Sequence, residues 1–229
     1  MTYLSPNQLK QYEDEGFVSP LDVFSKEKSK EIRDEIELIE KQMPHELEKD
    51  GRYNAHLISP LLDWVTHHPT ILNTVESLIG KNILVCGTTL FIKNPNIKGF
   101  VSYHQDAKYI GLEPHNWVTA WVAITDSNEN NGCMRMWSGS HKENLKDHDQ
   151  MFNEGNLLTR GQTVNDVPKS ETTPLILKAG QMSLHHPKVV HGSDLNKSND
   201  RRIGFVIQSY IGTNAVSYTH LRAHETSTY

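Results

Sequence analysis

The sequence predicts a mainly β protein, in which a helical lead-in over about residues 1–80 precedes a β-barrel over about residues 83–213. Early in the chain, apolar residues recur at helical spacing. From Ile83 onward, short runs rich in β-branched and aromatic residues alternate with turn formers. Short strands after helices are typical of a jelly-roll barrel. Eight runs are predicted as strands: 83–93, 100–104, 117–125, 133–137, 174–178, 181–185, 188–191 and 202–210.

The lead-in contains three predicted helices, each with a start or stop signal. Ser5, which precedes a proline, is placed as the N-cap of the first helix. Ser25 is placed as the N-cap of a second helix over about 26–42. A third helix begins at Pro69 and ends at Gly80, where a C-cap glycine belongs. A short strand is expected to begin directly after the first helix.

Three segments lack a regular pattern. Residues 44–60 and 138–173 are polar and poorly periodic, and long loops in compact domains are often lids or binding segments. Segment 44–60 either lines the mouth of a pocket or is an ordinary surface loop. Residues 1–215 are expected to form a single domain, and 216–229 to be a non-native or disordered tail.

Composition argues against several classes of protein. The net charge of −5 disfavours a nucleic-acid-binding surface, which needs a basic face. Only two cysteines occur, so a disulfide framework is not expected. The N-terminus lacks the features of a secretory signal, and no apolar run approaches the roughly 18 residues of a membrane span. We expect a cytoplasmic protein without nucleic-acid or membrane partners, as a monomer or weak homodimer.

Three residues form a candidate metal site. His104 and Asp106 lie two residues apart, so on a strand both side chains would point to the same side. His191, from a distant strand, would complete a 2-His-1-carboxylate triad, which holds ferrous iron and leaves positions open for other ligands. Zinc is the alternative metal, because histidine and carboxylate ligands also build open zinc sites.

An arginine favours iron over zinc. Arg202 lies 11 residues beyond His191 in another predicted strand, and a guanidinium can hold a carboxylate by two parallel hydrogen bonds. A simple zinc hydrolase has no need for such a group at that spacing. Arg201 is the competing residue, and strand alternation sends it to the opposite face.

Four segments resemble the phytanoyl-CoA hydroxylase (phytanoyl-CoA dioxygenase) family of iron(II)/2-oxoglutarate oxygenases, and the resemblance covers roughly residues 5–213. They are HQD at 104–106, AWVAITD at 120–126, NNGCMRMWSGSHK at 130–142, and HGS at 191–193 followed by Arg202. The resemblance implies a double-stranded β-helix, a cupin-like barrel. It also implies Fe(II), 2-oxoglutarate and dioxygen as cofactors, and hydroxylation of a small organic molecule with release of succinate and carbon dioxide.

The resemblance also implies roles for three residues around the metal, and strand alternation suggests a role for a fourth, Ser193. Arg202 is expected to hold the far carboxylate of 2-oxoglutarate. Ser193 shares the face of His191 if the strand persists, and its hydroxyl could bind the same carboxylate. Gln105 is implied to reach the cosubstrate, although alternation turns it away unless the strand ends or bends there. Trp121 is implied to line the cosubstrate pocket, while its simpler role is core packing.

Two other functions stay open. In a related iron halogenase a small residue replaces the carboxylate ligand to admit chloride, and Asp106 argues against that function. A non-catalytic cupin-like binding protein would keep the fold as a scaffold, because a fold does not fix a function. Five further histidines are not assigned as ligands: His115, His141, His148, His185 and His186.

Overall fold

Helices and strands take similar shares of the chain in the computed structural model, which describes residues 3–44, 47, 52–110, 112–158 and 160–212. The architecture is therefore mixed α/β with antiparallel sheets, rather than mainly β. The predicted tail, 216–229, lies outside the described residues.

The four described α-helices before residue 80 begin at polar caps, and in three of them a proline follows the cap directly. In the first, Ser5 Oγ accepts from the Gln8 amide at 3.3 Å while Gln8 Oε1 accepts from the Ser5 amide at 2.8 Å. The helix before Pro69 was not predicted, although Ser59 caps it and Pro60 opens it. No described helix is both long and apolar enough to cross a membrane. The helices are α1 Pro6–Glu15, α2 Lys26–Gln42, α3 Pro60–Thr66, α4 Pro69–Ile79 and α5 Asp106–Ile110.

The strands form a five-stranded and a four-stranded sheet, both antiparallel, and a separate two-stranded pair. The strands are β1 Phe17–Asp22, β2 Ile83–Lys93, β3 Val101–His104, β4 Trp117–Ala123, β5 Met134–Trp137, β6 Asp149–Gln150, β7 Gln162–Thr163, β8 Thr172–Pro174, β9 Gln181–His185, β10 Val190–Ser193 and β11 Arg202–Gly212. The large sheet has the order β1-β9-β4-β11-β2, the smaller sheet β3-β10-β5-β8, and the pair consists of β6 and β7.

Two predicted strands are displaced in the structure. Strand β10 begins two residues later than predicted because the amide of Val189 donates to the His186 carbonyl at 3.0 Å, which closes a turn. Strand β8 ends at Pro174, whereas a strand was predicted over 174–178. Leu175 and Leu177 lie in the core between the sheets, and beyond Pro174 the pairing is reduced to an isolated bridge between Leu177 and Ser127.

Both faces of the large sheet are covered, and this places the site. On β11, the side chains of Phe205 and Ile207 lie on the face of the large sheet that is turned away from the smaller sheet. There they pack in one core with residues of α2, α3 and α4. Val206, on the opposite face, packs with Trp121 of β4 in a second core against the smaller sheet. Full burial of such an apolar side chain contributes roughly 1.5–3 kcal/mol to stability. The alternation of β11 thus directs Arg202 into the space between the sheets.

Candidate metal and cosubstrate site

A cavity of about 100 Å³ lies between the two sheets, and both sheets contribute to its walls. The metal-ligand candidates and Arg202 line it. Segments 44–60 and 138–173, which lack a regular sequence pattern, each supply a lining residue: Tyr53 and Leu158. The remaining wall is largely apolar, with Phe91, Val101, Ile110, Met134 and Val206.

His104 and His191 face each other across paired strands. They are direct partners in the antiparallel ladder between β3 and β10, and their ring centroids lie 4.2 Å apart. His104 Nδ1 lies 2.9 Å from the Ser102 carbonyl, and His191 Nδ1 lies 3.1 Å from the Val189 carbonyl. Because a carbonyl oxygen only accepts, each Nδ1 carries the proton and each Nε2 offers a lone pair, as in protein metal ligands.

Asp106 joins the histidines by a turn rather than by strand alternation. Strand β3 ends at His104, and Asp106 is the first residue of α5. The expectation that both residues share one face of a strand is therefore wrong. The amide of Ala107 donates to the Pro187 carbonyl at 2.9 Å and anchors this turn. Asp106 Oδ1 lies 3.4 Å from His104 Nε2 and 3.7 Å from His191 Nε2.

The electrostatics of this group fit a divalent cation. Burial, aided by His104, lowers the pKa of His191 to about 3, which leaves its imidazole neutral. Burial alone would raise the pKa of Asp106, but His191, His104 and His185 together hold it well below its usual value. The three ligand atoms, one each from His104, Asp106 and His191, lie within 4.8 Å of one another. Two histidines and a carboxylate with open positions are the typical ligand set of non-haem Fe(II).

The second carboxylate oxygen of Asp106 is held by the large sheet. Thr119 Oγ1 donates to Asp106 Oδ2 at 2.9 Å, and His185 Nε2 lies 3.2 Å from the same oxygen. Thr119 and His185 are ladder partners on β4 and β9. Their contacts leave Oδ1 facing the two histidines, so Asp106 is arranged to bind a metal through one oxygen. The sequence placed His185 on a strand, but only the fold brings it to Asp106.

Replacing His185 by phenylalanine is expected to weaken iron binding roughly 10- to 100-fold, as loss of an outer partner of a metal ligand typically does. The ring volume is kept, while the hydrogen bond to Asp106 Oδ2 is lost. Anaerobic titration with Fe(II) measures the change. His67→Phe, at the exposed C-cap position of α3, is the matched control, and an unchanged iron affinity in His185→Phe would contradict the role of His185.

Gln105 lies outside the cavity lining. Its Nε2 donates to the Lys188 carbonyl at 2.6 Å, and its Oε1 accepts from the Lys146 amide at 2.8 Å. Both ends of the amide are thus occupied by backbone groups, and the side chain is fully buried. In this arrangement Gln105 ties the turn between His104 and Asp106 to two neighbouring loops.

Arg202 is a buried cation with no carboxylate partner among the described residues. It is 1% exposed, and its guanidinium lies 5.3 Å from the centre of the Trp121 ring. One terminal nitrogen donates to the Gly132 carbonyl at 3.1 Å, while Nε is buried without a partner. Burial lowers the pKa of Arg202 to about 10, so the group stays charged at neutral pH. This arrangement fits the far carboxylate of 2-oxoglutarate.

The neighbouring Arg201 points to the opposite side of β11. Its two terminal nitrogens each bind a Glu40 oxygen at 2.8 Å, on α2. Gly204, two residues after Arg202, allows the Trp121 ring to approach, because a β-carbon there would overlap the ring. Trp121 therefore lines the cavity and also packs in the core between the sheets.

Ser193 lines the cavity and contacts a second buried cation. It lies two residues after His191 on β10, on the same face, and its Oγ is 2.6 Å from Lys93 Nζ. Lys93 is the last residue of β2 and 1% exposed. The sequence pattern did not point to Lys93, although a lysine that ends a strand of apolar and small residues is a usable signal for a polar interior site.

The structural comparisons find solved structures with a similar fold. A solved structure described as "non-heme monooxygenase; ThoJ apo" is 29% identical, with a TM-score of 0.78 over 90% of this chain and 77% of that chain. The carbocyclase SnoK from nogalamycin biosynthesis, described as alpha ketoglutarate dependent, is 22% identical, with a TM-score of 0.74 over 93% of this chain and 86% of its own. These matches imply a fold like the double-stranded β-helix.

The sequence comparisons identify the family and confirm the resemblance. Peroxisomal phytanoyl-CoA dioxygenase of Mus musculus is 29% identical over 87% of this chain and 66% of its own length, and the protein of that name from Bos taurus is 34% identical over 58% and 41%. The chain thus spans less than two thirds of these relatives. The family model "Phytanoyl-CoA dioxygenase (PhyH)" matches residues 12–204. The chain belongs to the phytanoyl-CoA dioxygenase family of Fe(II)/2-oxoglutarate-dependent oxygenases.

Proposed function

We propose that this protein is an Fe(II)/2-oxoglutarate-dependent dioxygenase that hydroxylates a small organic molecule. One observation carries the proposal: a converging 2-His-1-carboxylate group lines the same cavity as a buried guanidinium that has no carboxylate partner among the described residues. The first fits Fe(II), and the second fits the far carboxylate of the cosubstrate.

Each polar residue of the cavity has a defined task in this proposal. His104 Nε2, His191 Nε2 and Asp106 Oδ1 hold the metal, and Arg202, assisted by Ser193, binds the far carboxylate of 2-oxoglutarate. When bound, Fe(II), 2-oxoglutarate and dioxygen supply the oxidant that hydroxylates a C–H bond, with release of succinate and carbon dioxide.

The remaining residues orient these groups and exclude water. Thr119 and His185 bind Asp106 Oδ2, so only Oδ1 of this carboxylate would be available to a metal. The apolar wall, which includes Val101, Ile110 and Leu158, suits an apolar part of the substrate. Such a wall also keeps bulk water from the reacting carbon.

Succinate release is the direct test of the proposal. Purified protein with Fe(II), 2-oxoglutarate and dioxygen is expected to release succinate slowly alone and faster with its substrate. Candidate substrates are acyl-CoA thioesters, free amino acids and secondary metabolites. A non-catalytic binding protein releases no succinate under any of these conditions, and that result would overturn the proposal.

Two expectations from the sequence stay predictions: the cytoplasmic location, and the monomer or weak homodimer. Size-exclusion chromatography with light scattering over a concentration series tests the second.

A further inference from the structure

Lys93 is a second buried cation beside Arg202. The two are ladder partners at adjoining ends of β2 and β11. The Lys93 ammonium contacts Ser193 Oγ at 2.6 Å, the Gly132 carbonyl at 3.3 Å and the Asp194 carbonyl. Within the described part of the chain, no carboxylate forms an ion pair with either Lys93 or Arg202, so two neighbouring cations are buried with neutral partners only.

Burying two unpaired cations together is costly in the absence of a ligand. Burial, with the charge of Arg202 as a second cause, lowers the pKa of Lys93 to about 6, so at neutral pH the lysine is held in its charged form when an anion binds beside the pair. Asp194 does not offset this cost by direct contact, since its carboxylate lies 3.3 Å from the exposed Lys169. Paired cations of this kind mark a place where an anion binds.

The contact with Lys93 fixes the direction of the Ser193 hydroxyl. An ammonium group only donates hydrogen bonds, so Ser193 Oγ accepts from Lys93 when the lysine is charged. The hydroxyl hydrogen must then point elsewhere, and Ser193 lines the cavity. Ser193 is thereby held as a donor toward a ligand in the cavity, which suits a carboxylate and not a cation or an apolar group.

We propose that Lys93 is a positioning residue for the cosubstrate. It holds Ser193 as a donor and adds its charge to that of Arg202, and so selects an oxo acid whose far end is a carboxylate. This inference rests on the proposed function, because it assumes that 2-oxoglutarate is the ligand that reaches Ser193 and Arg202.

The test compares two ligands and two variants. The ligands are 2-oxoglutarate and 2-oxovalerate, which has the same carbon chain with a methyl group in place of the far carboxylate. Lys93→Met removes the charge and keeps the length of the side chain. Lys98→Met, at an exposed position in the connection between β2 and β3, is the matched control. Binding is measured anaerobically by calorimetry on the Fe(II)-loaded protein, with the affinity for Fe(II) measured separately.

In Lys93→Met, the Kd for 2-oxoglutarate is expected to rise roughly 10- to 100-fold, the usual range for a lost hydrogen bond to a charged group. The Kd for 2-oxovalerate is expected to change by about twofold or less. The affinity of Lys93→Met for Fe(II) should stay at the wild-type value. In Lys98→Met, the Kd values for 2-oxoglutarate, 2-oxovalerate and Fe(II) should all equal those of the wild type. If Lys93 had only a structural role, its replacement would weaken the binding of 2-oxoglutarate and of 2-oxovalerate to a similar extent.

The outcomes separate this inference from the proposed function. If the wild-type protein does not bind 2-oxoglutarate, the proposed function fails. If the wild type prefers 2-oxoglutarate and Lys93→Met keeps that preference in full, the role of Lys93 is overturned. Should Lys93→Met fold poorly, Lys93→Gln still offers a hydrogen-bond donor to the two carbonyls without the charge. Lys93→Gln is expected to lose the preference for 2-oxoglutarate over 2-oxovalerate. If this variant keeps that preference, the inference is overturned.

Discussion

Replacing His191 by alanine is expected to abolish stoichiometric Fe(II) binding and succinate release. The substitution removes one of three ligand atoms and leaves His104 and Asp106 without their third partner. The loss should exceed the roughly 10- to 100-fold expected for an outer partner of a ligand. Anaerobic titration measures iron binding, and wild type is expected to bind one Fe(II) per chain.

His67→Ala is the control for this experiment, because His67 is exposed at the C-cap of α3 and belongs to no metal-ligand group of the described residues. It should bind iron as wild type does. Retention of one tightly bound Fe(II) in His191→Ala would contradict the proposed ligand set.

Asp106 distinguishes the hydroxylase from a halogenase. Asp106→Gly removes Oδ1 and opens a coordination position that chloride or water could take, so hydroxylation is expected to be lost. Wild type is expected to form no chlorinated product even in high chloride, because Asp106 occupies that position. Mass spectrometry of the products decides between the two reactions, and a chlorinated product from wild type would refute the assignment.

Replacing Arg202 by alanine is expected to weaken 2-oxoglutarate binding by about 2–5 kcal/mol, by analogy with buried charge pairs at interfaces. Iron affinity should be unchanged, because the metal ligands stay in place. Arg202→Lys should restore little of the loss, since lysine lacks the planar fork that pairs with a carboxylate. Calorimetry under anaerobic conditions measures the affinity for 2-oxoglutarate on the metal-loaded protein and the affinity for Fe(II) on the metal-free protein.

Arg201→Ala is the matched control, one residue away on the opposite face of β11. It breaks the ion pair with Glu40, a partly exposed contact that contributes about 0–1 kcal/mol to stability. Its affinity for 2-oxoglutarate should stay at the wild-type value. A larger cosubstrate defect in Arg201→Ala than in Arg202→Ala would show that the wrong arginine has been assigned.

The sequence by itself determined most of the local structure. The caps at Ser5 and Ser25 placed α1 and α2, because capping depends on residues within one turn of the helix. The apolar runs located β2 and β11, and strand alternation alone separated Arg201 from Arg202, since successive side chains on a strand point to opposite faces. Residue chemistry also determined which side chains suit iron and a carboxylate.

Only the tertiary structure decided how these residues meet. His104 meets His191 through the register of β3 with β10, which pairs residues that are distant in sequence. Asp106 arrives through the turn into α5, an approach that strand alternation did not predict. Gln105 lies outside the cavity, as strand alternation indicated, but only the structure shows that two backbone groups hold its side chain there. The contacts of His185 and Lys93 likewise join separate strands. The sequence around each of these residues carries no signal for such pairings, because the pairings are fixed by the packing of the two sheets against each other.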